Sequence, residues 1–173
     1  MLHPVDWFSR PFDFNLPLWM YPNIVERLRG TPARLETRIT GLPKAILTRR
    51  LGDRWSIQEN AGHLLDLEDL WLGRVDDFEQ KLPRLRAADL DNRRTYEAEH
   101  NAQNLQTILA DFRTRRLQLV QRLENADEDF VKQSALHPRL DASMRVIDHA
   151  YFVAEHDDHH LVEVTALIKL FMP

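Results

Sequence analysis

The sequence contains no cysteine. Disulfides and thiolate metal ligands are therefore excluded, and any metal must be held by histidines and carboxylates. There are five glycines in 173 residues, no Asn-Gly pair, and no segment that alternates polar and apolar residues over strand length. That poverty disfavours folds built from hairpins. No apolar run approaches membrane-spanning length, so no membrane partner is expected. The first 17 residues, MLHPVDWFSRPFDFNLP, lack a basic start followed by an apolar core, so no signal peptide is expected and a cytoplasmic location is. Basic residues are not in excess: 23 Lys and Arg stand against 27 Asp and Glu, a net charge of -4, which argues against a nucleic-acid partner. Neither GxSxG nor a P-loop is present, so the chain offers no nucleophile or phosphate cradle of those kinds.

What the chain has is helical periodicity. Hydrophobic residues make up 43% of it and charged residues 29%, the balance of a globular protein with room for one core. Residues 1–18 read as an arm, with Pro4, Pro11 and Pro17 among Trp7, Phe8, Phe12 and Phe14, the aromatics lying in a groove of the body. Residues 19–173 read as one domain. A first helix over 19–41 carries Ile24, Leu28, Leu35 and Ile39, with a kink or short break at Gly30-Thr31-Pro32 and Thr31 as a fresh N-cap. After a linker over 43–55, Ser56-Ile57-Gln58-Glu59 forms a capping box that opens a second helix, running to about Gln80. Residues 81–100 read as a long loop, with at most a short turn of helix, of a length uncommon unless functional or packed over a site. A third helix spans 101–125, a second linker 126–142, and a fourth helix runs from about Ser143 to Leu170. Four long amphipathic helices and no convincing strand predict an all-α protein, a single-domain four-helix bundle.

Chemistry concentrates in the last helix, at DHAYFVAEHDDHHL (148–161). His156 and His160 are four apart and stack on one face, about 40° apart in projection. Val146, Val153, Val164, Leu167 and Phe171 project onto that face too, whereas Glu155, His159 and Glu163 project toward water. Such a pair can offer two nitrogens to one ion, or it can be a polar patch in a core; the segment alone leaves both open. A third ligand decides. His63 lies on the apolar face of the second helix with Leu67 and Leu70, and it meets His156 and His160 if the second and fourth helices face each other. Three neutral imidazoles suit Zn²⁺ and Ni²⁺ first, with Fe²⁺, Mn²⁺ or Co²⁺ also accommodated, and leave positions open for water or substrate. Candidates for a catalytic base are limited to Glu59, which the capping box already explains, and His149, whose commoner role is a bonded core histidine. Asp148 and Asp158 could orient the ligand imidazoles or stand as solvated carboxylates. His3, His100 and His137 lie in segments read as loops.

Trp55-Ser56-Ile57-Gln58-Glu59 followed by Gly62-His63-Leu64-Leu65, and then Tyr151 to His160 (YFVAEHDDHH), resembles the DinB/YfiT-like family over about residues 19–170. The resemblance implies a four-helix bundle, often dimeric, with a divalent metal on His63, His156 and His160. It also implies a small-molecule substrate, since members of known activity include S-transferases and isomerases that use low-molecular-weight thiols. His149 departs from the family, which more often has an apolar residue there. Three functions remain open: a metal-dependent enzyme activating a thiol or, as a hydrolase, a water; an ion-binding or stress-related bundle without turnover; and a bundle whose histidines are structural.

Overall fold

Four long amphipathic stretches can bury their stripes only against one another, and they do so in a computed structural model that describes residues 5–172. His3 and Pro4 lie outside the described residues. The long elements are α1 (Tyr21–Ile39), the nearly continuous pair α3 (Ile57–Asp66) and α4 (Glu68–Glu79), α6 (Leu105–Glu124) and α8 (Val146–Phe171). Between them lie the short helices α2 (Lys44–Leu47), α5 (Arg93–Glu97) and α7 (Glu128–Lys132), and the strands β1 (Ser134–His137) and β2 (Ala142–Arg145). α1 packs on α6 and α8, and α3 packs on α6 and α8. The order around the bundle is therefore α1, α6, α3–α4, α8, and the links over 40–56 and 125–145 each cross a diagonal.

Local chemistry explains most of the boundaries. Ser56 and Glu59 close the capping box of α3: Glu59 N donates to Ser56 Oγ at 3.1 Å and Ser56 N donates to Glu59 Oε2 at 2.8 Å. The rod is interrupted for one residue at Leu67 before α4 resumes. α1 differs from expectation. It runs unbroken through Gly30-Thr31-Pro32, and Thr31 is no N-cap: its hydroxyl lies 2.8 Å from Asp157 Oδ2 and 3.3 Å from Arg27 O. A mid-helix proline costs about 3 kcal/mol. Here Leu28, Pro32 and Leu35 are all buried on the core side, and their burial offsets that cost.

The second linker and the 81–100 loop also differ from a structureless reading. Residues 134–145 form an antiparallel hairpin, Ser134 opposite Arg145 and His137 opposite Ala142, closed by a turn in which Asp141 takes a left-handed φ of 49°. Its four-residue strands are too short to show an alternation in sequence. α8 accordingly starts at Val146 rather than Ser143. The segment 81–100 folds back over α3–α4 through α5, with left-handed corners at Asn92 and Glu99, and buries Thr95 and His100. In the arm, Trp7, Phe12 and Phe14 pack against the core. No helix among the described residues is long and apolar enough to cross a membrane.

Candidate metal centre

α3 and α8 lie side by side, and their buried faces bring His63, His156 and His160 together. One nitrogen from each lies within 4.8 Å of the other two, and all three residues are buried. Ring centroids are 4.5 Å apart for His156–His160, 4.7 Å for His63–His160 and 5.3 Å for His63–His156.

Which nitrogens face inward follows from their neighbours. The Asn60 side-chain NH₂ donates to Ser56 O at 2.8 Å, which fixes the amide and leaves Oδ1 as an acceptor. His160 Nδ1 lies 2.8 Å from that oxygen, so Nδ1 carries the proton and Nε2 a lone pair. The Thr95 hydroxyl donates to Asp66 Oδ2 at 2.9 Å and can therefore only accept from His63 Nδ1, also at 2.9 Å. His63 Nε2 is then a lone pair as well. Burial lowers all three imidazoles: His63 falls to about 4, and His156 and His160 fall well below 6.5, with neighbouring histidines adding to the effect. They are neutral at pH 7.

His160 Nε2 and His156 Nε2 are 3.2 Å apart. Two nitrogens each about 2.05 Å from one ion at a tetrahedral angle would be about 3.3 Å apart. His156 Nδ1 is buried with no partner, so His156 alone of the three lacks an orienting bond. The donor set, three neutral buried imidazoles of which His63 and His160 turn lone pairs inward, fits a divalent cation of the borderline kind.

The supports were not legible in the sequence. Asp66 holds Thr95 and also His100 Nε2 at 2.8 Å, and its carboxyl is held below the usual range by His100, Thr95 and Arg94 against the opposing effect of burial. His100 packs over Gly62 so closely that a Cβ there would stand 2.2 Å from its ring. Gly62 is thus required by the close approach that seats His100. Asp148 and Asp158 do not orient the imidazoles. Asp148 pairs with Arg145 at the start of α8, and Asp158 pairs with Arg27 and Arg34. Glu59 is tied to Arg50 as well as to Ser56, which lowers its carboxyl against the effect of burial and occupies it structurally. His149 lies behind Trp71, its Nε2 3.3 Å from Trp71 O, and is a bonded core residue. His159 does not face open water: it borders the cavity, 5.2 Å from the His160 ring, with Nδ1 unpaired. His137, read as a loop residue, is buried on β1 against Arg74.

The triad sits at one wall of a cavity of about 620 Å³. Indoles crowd it. Trp55 is 4.5 Å from His63, Trp7 from the arm 5.0 Å from His156, and Trp71 5.6 Å from His156, measured between ring centroids. They keep water from the imidazole edges and raise the strength of any charge interaction inside.

The fold and the site together define a four-helix bundle with a buried histidine triad shared between two adjacent helices. The chain belongs to the DinB superfamily, whose family model matches residues 27–164. Its structure is similar to that of YfiT from Bacillus subtilis, at a TM-score of 0.79 and 15% identity, covering 94% of this chain and 93% of that one. YfiT is described as a probable metal-dependent hydrolase with an unusual four-helix bundle topology. A protein from Streptococcus pneumoniae is similar at a TM-score of 0.65 and 11% identity, covering 92% and 93%. No curated protein sequence matches the chain.

Proposed function

We propose that the protein is a divalent-metal-dependent enzyme that joins a nucleophile to a small electrophilic substrate, with His63, His156 and His160 holding the ion. The observation that carries this reading is the tautomer arrangement: Asn60 and Thr95 fix His160 and His63 so that lone pairs, not N–H groups, face one point. A divalent ion there, Zn²⁺ or Ni²⁺ by preference for imidazole, would acidify a thiol or a water and supply a nucleophile at neutral pH.

The chain's own groups favour the thiol. The acids that border the cavity near the triad are engaged elsewhere: Glu163 pairs with Arg54, and Asp6 caps the turn at Phe8 and Ser9. Asp89 accepts from the backbone of Asp91 and Arg93, and Asp53, the remaining lining acid, is exposed on the turn before Trp55. A thiol, with a pKa near 8.5, needs far less help than water at 15.7. Trp7, Trp55 and Trp71 exclude bulk solvent, and the roughly 620 Å³ beside them is room for a thiol and a small molecule together.

A second reading, hydrolysis, is favoured by His159. Burial lowers its imidazole from the ordinary value, its Nδ1 is unpaired, and it borders the cavity as a proton acceptor for water would. The hydrolase description of YfiT points the same way.

Elemental analysis of untagged protein tests the common part. About one divalent ion per chain is expected, lost in His63→Ala. An empty protein that stays empty after exposure to zinc and nickel overturns the proposal. Turnover of an electrophile only with an added low-molecular-weight thiol selects the first reading. Turnover without one, lost in His159→Gln, selects the second.

A further inference from the structure

Away from the triad, the same cavity is lined by two guanidinium groups that meet no carboxylate. Arg74 is 1% exposed, yet its partners are neutral: Nε donates to Arg86 O at 3.2 Å, and Nη1 lies 3.1 Å from His137 Nε2. Its guanidinium stands 5.5 Å from the centre of the Trp71 ring. Arg139, on the turn between β1 and β2, lies over Phe8 and Phe152 at 5.4 and 5.9 Å, with Nη2 buried and without an acceptor. Among the described residues neither arginine forms an ion pair, in a chain where most buried charges do. Burial lowers both guanidiniums, Arg74 to about 10.

The acid that acts on Arg74, Asp77, does so only through space, raising it against the effect of burial without a hydrogen bond between them. Asp77 is taken by Arg86, accepting from its backbone N at 2.7 Å and from Nη2 at 2.7 Å. Asp89, on the rim, accepts from the backbone N of Asp91 and Arg93. A third donor on the same wall, Trp71 Nε1, is buried with no partner. Desolvated cations and an orphaned N–H are costly to keep, and they are compensated when an anion with several acceptor oxygens enters. The wall they share is otherwise aromatic. Trp71 joins the two ends of the cavity, with His156 5.6 Å from its ring and Arg74 5.5 Å from it.

We propose that Arg74, Arg139 and the Trp71 indole N–H form a subsite for the carboxylate or phosphate of a small organic anion. The anion lies along Trp71 with its other end toward His63, His156 and His160. The orientation of that other end rests on the reading of the triad as the reaction centre; the subsite itself does not.

The test is calorimetric titration of the full chain with benzoate, phenyl phosphate and neutral benzamide, in chelator-treated and in zinc-loaded protein. Metal-free protein should bind at least one of the two anions about tenfold or more tighter than benzamide, and Arg139→Gln should weaken that anion about fivefold or more while leaving benzamide unchanged. Benzoate alone identifies a carboxylate site and phenyl phosphate alone a phosphate site. Arg74→Gln should act in the same direction; Arg139 is partly exposed on a turn, so its variant remains informative if Arg74→Gln does not fold. The proposal is overturned if metal-free protein treats the three probes alike or binds none. It is equally overturned if anions bind only with zinc and ignore Arg139→Gln, which would place them on the ion. Anion binding by a protein that takes up no zinc would sink the metal reading and leave the subsite standing. Stoichiometric zinc with indifference to anions would do the reverse.

Discussion

Two buried polar clusters adjoin on α8, about 100° apart around the helix, and they are built differently. On one side of the helix Asp157 joins Glu68 around Arg116, all three fully buried. Arg116 Nη2 donates to Glu68 Oε1 at 2.6 Å and to Asp157 Oδ1 at 3.0 Å, Nη1 also reaches Asp157, and Thr31 donates to Asp157 Oδ2 at 2.8 Å. Donors meet acceptors throughout. Burial pushes Glu68 up to about 7 against the pull of Arg116, as two carboxylates share one guanidinium. Beside it His156, one residue away, joins His63 and His160, where His63 and His160 both turn lone pairs inward and His156 Nε2 lies 3.2 Å from His160 Nε2. A cluster that closes on itself ties helices together. One that turns lone pairs inward leaves a place for a cation, and the metal reading proposed above rests on that difference.

The largest effect should come from opening the closed cluster. Arg116→Met leaves two carboxylates buried without a counter-charge and should cost about 3–5 kcal/mol, lowering the melting temperature by roughly 10 °C. Thermal unfolding checks this, and the folded fraction should still take up metal. A drop of under about 3 °C would mean that the cluster is not the tie described. Opening the other cluster should act in reverse. His160→Gln keeps the volume, so the metal-free melting temperature should stay within about 4 °C of the parent, while metal content falls below about a tenth of an ion per chain. Retained metal with lost stability would make the triad a second structural cluster and erase the contrast.

The contrast can be sharpened through the groups that aim the lone pairs. Thr95→Val removes the acceptor for His63 Nδ1–H and frees the ring to turn, while His100 still anchors Asp66. Metal affinity, read by competition with a chelator, should fall about 10–100-fold. An unchanged affinity would show that packing against Trp55, not the hydrogen bond, orients His63.

What could be read in advance divides along a related line. The capping box at Ser56 and Glu59, the helical stripes, and the i, i+4 spacing of His156 and His160 are local or periodic, and they survive as sequence signals; His63 joins that pair in sequence only through the family resemblance or on the condition that the two helices face each other. The partners that fix the tautomers are neither. Thr95 and His100 arrive from a segment with no periodic stripe, and their roles depend on how 81–100 folds back over α3. Gly62 was the one available hint, a small residue beside a candidate ligand where something had to come close. Thr31-Pro32 misleads for the opposite reason: the local signal says break, and a tertiary contact to Asp157 together with burial of Pro32 overrides it. Trp7, Arg74 and Arg139 reach the cavity from three segments far apart in the chain, which no spacing rule connects.

His149 gives the finest test, because it shares a helix face with the triad yet is bonded through Nε2 to a backbone carbonyl, with its Nδ1 buried and unpartnered. Burial lowers its imidazole to about 3, helped by Arg74 nearby, and its Nε2 faces Trp71 O. In the unfolded chain it takes a proton near pH 6.5. Between pH 6.5 and about 3 the unfolded state therefore binds more protons, and stability falls as pH falls, by about 1.4 kcal/mol per unit for this one group. His149→Leu should cost about 1 kcal/mol at pH 7, where only a neutral hydrogen bond is lost. Its stability should then decline less steeply with acid, by that same amount per unit, so that the two curves cross roughly one unit below pH 6.5. Urea unfolding of metal-free protein at pH 7, 6, 5 and 4 measures both slopes. Parallel curves would mean that folded His149 is protonated across this range, a charge that Trp71 O alone could not hold. Metal content of the variant should equal that of the parent, because His149 is bonded to a backbone carbonyl on the far side of Trp71 and offers the triad nothing.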